Sequence, residues 1–320
     1  MRYLITGGSG FIGGHLTENL LASGDEVVVI DNFSTGRREN LAAVAGHPRL
    51  TVIEGDVVGE PDLLRREVAA ADRIVHLAAA VGVELVVRDP VRTITTNVHG
   101  TENVLRPAAE YGKRIVIAST SEVYGKSSKE LFAETDDLLI GNPLRSRWSY
   151  ACSKLLDEFY LMAFHRQCGL PGTVVRFFNT VGPRQTGQYG MVVPRLVRCA
   201  LAGEPLPVYG TGRQTRCFCH VLDVVRALRL LLDEPATYGK IYNIGSSRSI
   251  SIEALAELVI ARTGSASMIR RIPYDQAYEK GFEDMLRRVP DTAALRQLTG
   301  WQPARSLEQI IDDVAAEFRK

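Results

Sequence analysis

The sequence predicts an α/β fold, in which a doubly wound parallel sheet is followed by a second, smaller α+β lobe. Short segments rich in Val and Ile alternate with amphipathic helical segments through the first half of the chain. The short segments are apolar nearly throughout, which is typical of strands that are covered on both faces. Strand–helix alternation of this kind favours a parallel sheet. The alternation loosens after residue 179, which indicates the second lobe.

Each element follows from its local pattern. In the first half, strands are predicted at 3–6, 26–30, 50–54, 73–77, 114–119 and 172–176, and helices at 12–23, 61–70, 91–111 and 150–168. Farther along, helices are predicted at 191–202, 220–232, 251–263 and 307–318, a strand and turn at 206–216, and a strand at 240–244. We expect one domain at 1–179 plus about 217–244, and the smaller lobe at about 180–216 and 245–320. Because no flexible linker separates them, the two should pack along a shared cleft.

Composition excludes several classes of protein. With 320 residues, 45% hydrophobic and 23% charged, the chain is typical of a globular protein rather than a disordered or fibrous one. A net charge of +1 gives no basic surplus, so we expect no nucleic-acid partner. There is no secretory signal and no apolar run of about 18 residues, so we expect no membrane partner. Five scattered Cys argue against a disulfide framework and favour the cytoplasm, and six dispersed His predict no metal site.

A glycine-rich loop joins the first strand to the first helix. Gly7, Gly10 and Gly13 leave room for a tight turn, for close approach of phosphate and for helix–strand packing. The helix N-terminus adds partial positive charge for a pyrophosphate. The second strand ends in Asp31, about 20 residues on, where a carboxylate binds the adenosine ribose and repels a 2′-phosphate. We therefore expect NAD as the cofactor, although the nearby Arg37–Arg38 pair leaves NADP open.

Further cofactor contacts are expected in the first helix and near the carboxyl ends of the following strands. Small side chains at such positions let the backbone approach a ligand, and simple helix packing explains the alanines among them equally well. These residues are Phe11, Ile12, Asn32, Asp56, Val57, Leu77, Ala78, Ala79, Asn97 and Ser119.

Tyr150 and Lys154 lie four residues apart at the head of a predicted helix, and therefore on one face of it. The reference pKa of tyrosine is about 10, and a nearby ammonium together with a cationic nicotinamide ring would lower it. The phenolate would then take the proton of a hydroxyl while the cofactor takes hydride from the same carbon. Such a pair is common on helix surfaces, but here Thr120 and Ser121 end the fifth strand, where their side chains would meet the same site.

These motifs together resemble the extended short-chain dehydrogenase/reductase superfamily, whose members act on nucleotide sugars. The resemblance covers essentially the whole chain and includes Asn179, the segment Gly182-Pro183-Arg184, and Gly300-Trp301-x-Pro303 near the end. It implies a Rossmann sheet, a tightly held NAD, transient oxidation at sugar C4 with Tyr150 and Lys154 as catalytic residues, and a homodimer formed by the helices at 91–111 and 150–168.

Within the superfamily, the chain is most similar to the UDP-glucuronate decarboxylases. Glu122 stands where the 4-epimerases usually have a small residue, and the Asp that precedes it in the 4,6-dehydratases is missing. The other segments that carry this resemblance are Ser121–Gly125, Gly141-x-Pro143, Arg147–Tyr150 and Gln214–Phe218. The implied substrate is a UDP-sugar, UDP-glucuronate in particular.

Decarboxylation through a 4-keto intermediate assigns roles to further residues. Tyr150 and Thr120 would donate to the C4 oxygen. Three residues would orient the substrate carboxylate or deliver a proton to C5, namely Ser121, Glu122 and Arg216. Beside that carboxylate, Glu122 would tend to hold a proton. The UDP moiety would contact Asn179, Val192, Arg195, Tyr209, Arg216 and Arg287, whereas Arg288 is expected to be a solvated surface charge.

Two alternatives remain open at this point. A UDP-sugar 4-epimerase, acting on UDP-glucuronate or UDP-glucose, would use the same NAD, Tyr150 and Lys154, and the segment 187–194 does not match the decarboxylases well. A non-catalytic NAD-binding scaffold would need only the glycine loop. The presence of Tyr150, Lys154 and Thr120 argues against the scaffold.

Overall fold

The computed structural model describes residues 1–82, 86, 88–186, 191–273 and 287–319. Within these ranges the strands are β1 (Arg2–Thr6), β2 (Glu26–Asp31), β3 (Leu50–Glu54), β4 (Arg73–His76), β5 (Arg114–Thr120), β6 (Gly172–Phe177), β7 (Thr180–Val181), β8 (Leu206–Tyr209), β9 (Thr215–Cys217), β10 (Cys219–His220), β11 (Lys240–Ile244), β12 (Ser249–Ser251) and β13 (Ile269–Ile272). The α-helices are α1 (Phe11–Ala22), α2 (Pro61–Ala70), α3 (Pro90–Glu110), α4 (Trp148–Cys168), α5 (Val192–Leu201), α6 (Val221–Asp233), α7 (Ile252–Thr263), α8 (Ala293–Thr299) and α9 (Leu307–Phe318).

Seven parallel strands form the central sheet, in the order β11-β6-β5-β4-β1-β2-β3. β1 pairs with β2 on one side, where Leu4 lies opposite Val28, and with β4 on the other, where it lies opposite Ile74. The direction of winding reverses between β1 and β4, and the crevice outside the carboxyl ends of strands at such a point is where doubly wound sheets bind ligands. The predicted Rossmann sheet is confirmed.

The sheet is covered on both faces because its strands are apolar on both. Along β1, Tyr3 and Ile5 belong to one buried cluster and Leu4 to another. The first cluster contains apolar side chains of α1 and α6, and the second contains those of α2, α3 and α4. This alternation puts one helical layer on each face of the sheet, as the sequence predicted.

A separate buried cluster fills the second lobe. It consists mainly of side chains from α5, α7 and α9 together with β8, including Val193, Leu255 and Ile311. Three short pairings accompany it, namely β7 with β10, β9 with β12 and β8 with β13. Leu295 and Trp301, from the range assigned to the smaller lobe, belong to the first cluster of the sheet instead. The domain boundaries stay a prediction.

Arg184 connects the second lobe to the glycine helix. Its guanidinium donates to the carboxylate of Glu18 on α1 at 2.6 Å and to the carbonyl oxygen of Asn40 at 2.7 Å. These bonds hold Arg184 in the left-handed region, at φ 68°. The chain that leaves β7 is thereby fixed to the first helix.

Most predicted elements lie where the sequence put them. The helix predicted at 150–168 begins two residues earlier, at Trp148, and the strand and turn predicted at 206–216 are two strands, β8 and β9. In the described ranges no helix is both long and apolar enough to cross a membrane.

Candidate functional site

The glycine loop lies in the crevice between β1 and β4. Gly7 has a φ of 73°, and a Cβ added there would lie 2.7 Å from the amide nitrogen of Ala78 in the chain that follows β4. A Cβ on Gly13 would lie 2.3 Å from the carbonyl oxygen of Gly7. Gly10 is the N-cap residue of α1 and has no side chain to cover the helix N-terminus. The loop therefore has the close packing and the open helix end that a pyrophosphate requires.

Asp31 ends β2 beside this loop. Its Oδ2 accepts a hydrogen bond from the amide of Ser9 at 2.9 Å, and its Oδ1 accepts one from the amide of Phe33 at 2.9 Å. Burial raises the pKa of this carboxyl, and the two amides partly oppose that effect. A carboxyl fixed in this way fits the ribose of a dinucleotide. Arg38 is one of the two arginines that left NADP open as the cofactor. Its guanidinium pairs with the Glu54 carboxylate and stacks on the Phe33 ring at 4.1 Å.

Asn97 and Ser119 are buried side chains that bond to neighbouring elements. The amide group of Asn97 accepts from the backbone of Ala80 at 2.8 Å and donates to the Ser153 hydroxyl at 3.0 Å. Ser119 donates to the buried carboxylate of Glu158. Both side chains are buried and hold neighbouring elements together. Their contact with the cofactor stays a prediction.

The other residues expected at the cofactor are distributed around the crevice. Phe11 and Ile12 begin α1, and the Asn32 side chain donates to the Asp56 carboxylate at 2.9 Å. The remaining ones lie in the chain that follows β3, at Val57, or the chain that follows β4, at Leu77, Ala78 and Ala79.

Tyr150 and Thr120 meet where α4 approaches the end of β5. Tyr150 is half-buried, and its phenol hydrogen-bonds to the Thr120 hydroxyl. The Thr120 oxygen also accepts from the amide of Glu122 at 3.2 Å. Burial raises the pKa of Tyr150 and the negative charge of Glu122 raises it further. That the Lys154 ammonium and a bound nicotinamide ring together lower this pKa stays a prediction.

Lys154 is paired with a carboxylate. Its ammonium donates to the Asp157 carboxylate at 2.6 Å, and both side chains are buried. The positive charge that was expected to favour a phenolate is therefore paired with a carboxylate on the same helix. Asp157 was missed in the sequence, although its position, seven residues after Tyr150 and three after Lys154, puts all three on one helical face.

Two arginines converge on Glu122. Arg147 donates to its carboxylate at 3.0 Å, and Arg288 donates to the other oxygen of the same carboxylate. Arg288 also donates to the Ser121 hydroxyl at 3.3 Å. Burial raises the pKa of Glu122, but Arg288 and Arg147 outweigh it, and the pKa is lowered. The sequence considered only a like charge beside Glu122. In the free protein, Glu122 is an ionised carboxylate between two cations.

The exposures of the Arg287 and Arg288 side chains are the reverse of those expected. Arg287 was expected at the ligand, but its side chain is 62% exposed and pairs with Glu130 on the surface. Arg288 was expected at the surface, but its side chain is only 11% exposed and reaches Glu122. Arg288 therefore faces inward at Glu122, whereas Arg287 faces the surface.

The residues expected at the nucleotide lie in the second lobe or at its border. Arg195 on α5 donates to the Tyr209 hydroxyl at 2.8 Å and stacks on its ring. Val192 begins α5, and the Asn179 side chain donates to the carbonyl of Cys217 at 2.8 Å. Arg216, on β9, is buried and donates to the carbonyl of Thr215. Arg147 and Arg288 contact Glu122, and the role of Arg216 at the substrate carboxylate stays a prediction. Residues 187–190 and 281–284 lie outside the described residues.

The fold and the glycine loop agree with a comparison to known families. Residues 3–245 match the NAD dependent epimerase/dehydratase family. The protein belongs to this family. NAD is the cofactor of the family, and the open helix end and Asp31 fit its pyrophosphate and ribose. Gly7, Gly10, Gly13 and Asp31 would hold it.

Full-length relatives of this family member include decarboxylases. It is 40% identical to a UDP-N-acetyl-alpha-D-glucosaminuronate decarboxylase of Bacillus cytotoxicus, over 100% of this chain and 98% of the relative. It is 38% identical to UDP-glucuronic acid decarboxylase 1 of Xenopus tropicalis, over 100% of this chain and 72% of the relative.

Solved structures with the same fold include an epimerase and a dehydratase. UDP-glucose 4-epimerase of Thermotoga maritima, solved with UDP-glucose, has a TM-score of 0.89 and 31% identity, over 100% of this chain and 99% of that one. A dTDP-glucose 4,6-dehydratase of Streptomyces venezuelae, solved with NAD, has a TM-score of 0.89 and 32% identity, over 100% of this chain and 97% of that one.

Proposed function

We propose that the protein is an NAD-dependent decarboxylase of a UDP-hexuronate, with UDP-glucuronate as the first candidate substrate. The observation that carries this proposal is the charge beside Tyr150. One carboxylate, Glu122, and two guanidinium groups, Arg147 and Arg288, leave a net charge of +1 there. A hexuronate brings one carboxylate to this place, and guanidinium groups bind carboxylates with directed, charge-assisted hydrogen bonds.

The first half of the reaction belongs to Tyr150 and Thr120. NAD, held by the glycine loop and Asp31, would supply the reversible hydride acceptor for C4 of the sugar. Tyr150 takes the proton of the C4 hydroxyl, and Thr120, which is hydrogen-bonded to the phenol, donates to the same oxygen. The raised pKa of Tyr150 in the free protein means that the phenol loses its proton only when the bound partners add their charges.

The arginine cluster, which consists of Arg147 and Arg288 beside Glu122, acts in the second half of the reaction. Oxidation at C4 makes the substrate a β-keto acid, whose bond between C5 and the carboxyl carbon breaks to release carbon dioxide. The electron pair of that bond moves to the C4 oxygen, where Tyr150 and Thr120 stabilise the enolate. Arg147 and Arg288 hold the carboxylate beforehand, and Ser121 lies on the same side, with Arg288 donating to its oxygen. C5 then takes a proton from solvent, which restores the C4 ketone, and Tyr150 gives the proton that it took back to the C4 oxygen when the ketone is reduced.

Two uronate sugars are candidates for the substrate. The Bacillus cytotoxicus relative is named for a UDP-N-acetylglucosaminuronate and the Xenopus tropicalis relative for UDP-glucuronate, at 40% and 38% identity. Both sugars carry the carboxylate that the cluster would bind. The UDP moiety is assigned to the second lobe, where Arg195, Tyr209 and Arg216 supply cations and an aromatic ring.

A 4-epimerase is the second candidate, since the Thermotoga maritima UDP-glucose 4-epimerase shares the fold at a TM-score of 0.89. An epimerase would use Tyr150 and Thr120 in the same way and return the hydride to the other face of the ring. A neutral hexose, however, has no carboxylate for the two arginines beside the phenol to bind. The cluster therefore favours a uronate, and within the uronates it favours loss of the carboxylate that it holds.

A panel of UDP-sugars tests the proposal. The protein is incubated with UDP-glucuronate, UDP-N-acetylglucosaminuronate and UDP-glucose, and both carbon dioxide and the nucleotide-sugar products are measured. We expect carbon dioxide from at least one uronate and no reaction with UDP-glucose. UDP-galacturonate without carbon dioxide would identify an epimerase instead. NAD binding without turnover or transient NADH absorbance on any sugar would favour a scaffold.

Assembly and location are part of the proposal. The side chains of Val91 and Ile94 on α3 and of Leu156 and Phe159 on α4 are exposed, and Phe159 is 61% exposed. Two such helices from each of two copies would bury these side chains in a four-helix bundle, which supports a homodimer. Sedimentation of the protein and of Phe159→Arg tests this, with the variant expected to be a monomer. All five cysteines are free thiols, as is usual in the cytoplasm.

A further inference from the structure

Asp157 is a buried carboxylate in line with the two residues at the centre of the site. Tyr150, Lys154 and Asp157 follow one another along one face of α4. The side chain of Asp157 has no exposed surface, and its Oδ2 accepts from the Lys154 ammonium at 2.6 Å. Asp157 lies about one helical turn beyond Lys154, whereas Tyr150 lies about one turn before it. The ammonium is therefore bonded in the direction away from the phenol.

A chain of buried polar groups leads from Asp157 to the start of the glycine loop. The Thr101 hydroxyl on α3 lies near the Asp157 carboxyl and favours its ionised form, although Oδ1 of that carboxyl has no hydrogen-bond partner among the described residues. Thr101 is bonded to Nε2 of His76 at 3.1 Å, and Nδ1 of His76 is bonded to the Thr6 hydroxyl at 2.7 Å. Thr6 ends β1 and directly precedes Gly7.

The chemistry of these groups fixes the direction of the chain. Burial lowers the pKa of His76 to about 3, and Lys154 contributes, so the imidazole is neutral. A carboxylate only accepts, so the hydrogen of the Thr101 hydroxyl is directed toward Asp157, and its oxygen accepts from Nε2–H of His76. Nδ1 of the neutral ring then accepts from Thr6. These directions take Asp157 as ionised, which its 2.6 Å hydrogen bond from the Lys154 ammonium favours.

The charges that face Tyr150 and Asp157 come from several elements. Around Tyr150, Glu122 and Asp157 oppose loss of the phenolic proton, while Arg288 and the Thr120 hydroxyl favour it. Around Asp157, burial raises the pKa of the carboxyl most, Lys154 and Thr101 lower it and Glu158 raises it, and the net effect is a raised pKa. Glu158 is itself paired with Arg176 at 2.7 Å. Asp157 is therefore the counter-ion that the structure describes for Lys154. This pairing reduces the electrostatic effect of the Lys154 ammonium on the Tyr150 phenol.

We propose that Asp157 is a positioning residue for the Tyr150–Lys154 pair, whose carboxylate anchors the Lys154 ammonium and, by offsetting its charge, keeps Tyr150 protonated until cofactor and substrate are bound. Asp157 acts through Lys154 and does not touch the reacting atoms. The inference rests on the proposed function only in taking Tyr150 as the proton acceptor, and it is independent of which sugar is bound.

The test follows ionisation of Tyr150 directly, without substrate. The protein is loaded with NAD and titrated with base, and tyrosinate absorbance is compared with that of the same protein carrying Tyr150→Phe, so that the difference reports one phenol. We expect Asp157→Asn to lower the midpoint by about one pH unit, as expected when a neighbouring cation loses its counter-ion. Asp157→Glu, which keeps the charge, should retain the original midpoint. An unchanged midpoint in Asp157→Asn would overturn the inference.

A second variant keeps the test informative if Asp157→Asn does not fold. Asp157→Ser keeps an acceptor for Lys154 without the charge, and it should shift the midpoint in the same direction as Asn. Thermal unfolding of each variant is measured alongside. A lower melting temperature with no shift of the phenol would indicate a purely structural carboxylate and would also overturn the inference. A shifted phenol in a protein that decarboxylates no uronate would contradict the proposed function and leave the role of Asp157 intact.

Discussion

Arg288 donates a hydrogen bond to the carboxylate of Glu122, which lies 166 positions earlier in the chain. This bond brings a cation from the segment after β13 to the turn that follows β5, beside Tyr150. Arg147 reaches the same carboxylate from the residue that precedes α4. The site is therefore assembled from three distant parts of the chain, and its net positive charge arises only in the folded protein.

Loss of the Arg288 guanidinium should impair decarboxylation far more than loss of its neighbour. Arg288→Gln removes one of the two cations assigned to the substrate carboxylate and leaves Glu122 with one partner. We expect kcat/KM for carbon dioxide release to fall about 100-fold, as expected for loss of one partner of a buried charge pair. Arg287→Gln is the matched control, because its side chain lies on the surface against Glu130, and it should remain within about twofold of the parent protein. Equal effects of the two variants would contradict the assignment.

Removal of the phenolic oxygen should abolish most turnover. Tyr150→Phe keeps the ring but cannot take the proton of the C4 hydroxyl, and we expect kcat to fall by about 10²- to 10⁴-fold. Transient NADH absorbance on mixing with substrate should disappear at the same time, because hydride transfer depends on that proton transfer. Undiminished turnover would show that another group is the base.

The glycine helix should not tolerate a side chain at position 13. A Cβ on Gly13 would lie 2.3 Å from the carbonyl oxygen of Gly7, so Gly13→Ala must displace the loop that would bind the pyrophosphate. We expect about 1–3 kcal/mol lower stability from the overpacking, together with weaker NAD binding measured by calorimetry. Gly46→Ala is the control, because nothing lies within 4 Å of the added atom. Unaltered NAD affinity in Gly13→Ala would argue that the cofactor binds elsewhere.

Stability should fall in mild acid because of His76. Burial lowers its pKa to about 3, below the value of about 6.5 for an unfolded histidine. Between these values the unfolded chain binds a proton that the folded chain does not, so the free energy of unfolding decreases as the pH falls. One such histidine contributes about 1.4 kcal/mol per pH unit below about pH 6. Urea unfolding at several pH values between 5 and 7 gives the free energy of unfolding at each pH. In His76→Asn this free energy should change less with pH than in the parent protein. An equal pH dependence would contradict a neutral buried imidazole.

The sheet could be predicted from the sequence because its signal is local. Strands apolar on both faces, helices between them, and the spacing of Gly7, Gly10, Gly13 and Asp31 are all patterns within short segments. The same holds for Tyr150 and Lys154, four residues apart on one helix. These features depend on neighbours along the chain, and the structure has them where they were expected.

The charges around the site could not be predicted from local patterns. Whether Arg287 or Arg288 faces inward depends on how an extended segment of the second lobe lies against the turn at Glu122. The pKa of Tyr150 depends on Asp157, which takes the Lys154 ammonium, and on burial by surrounding elements. A charged residue seven positions after Tyr150 was a usable signal for Asp157. No local pattern in the sequence distinguished Arg216 from the Arg147–Arg288 pair as the cations beside Glu122.

The fate of the substrate carboxyl carbon tests the account most directly. UDP-glucuronate and UDP-N-acetylglucosaminuronate, each labelled at that carbon, are incubated with the protein, and the gas and the nucleotide sugars are collected. The account predicts that, for at least one of them, label leaves as carbon dioxide in equal amount to the substrate consumed, and that Arg288→Gln suppresses this release. Consumption of substrate with all label retained in an epimerised uronate would contradict it.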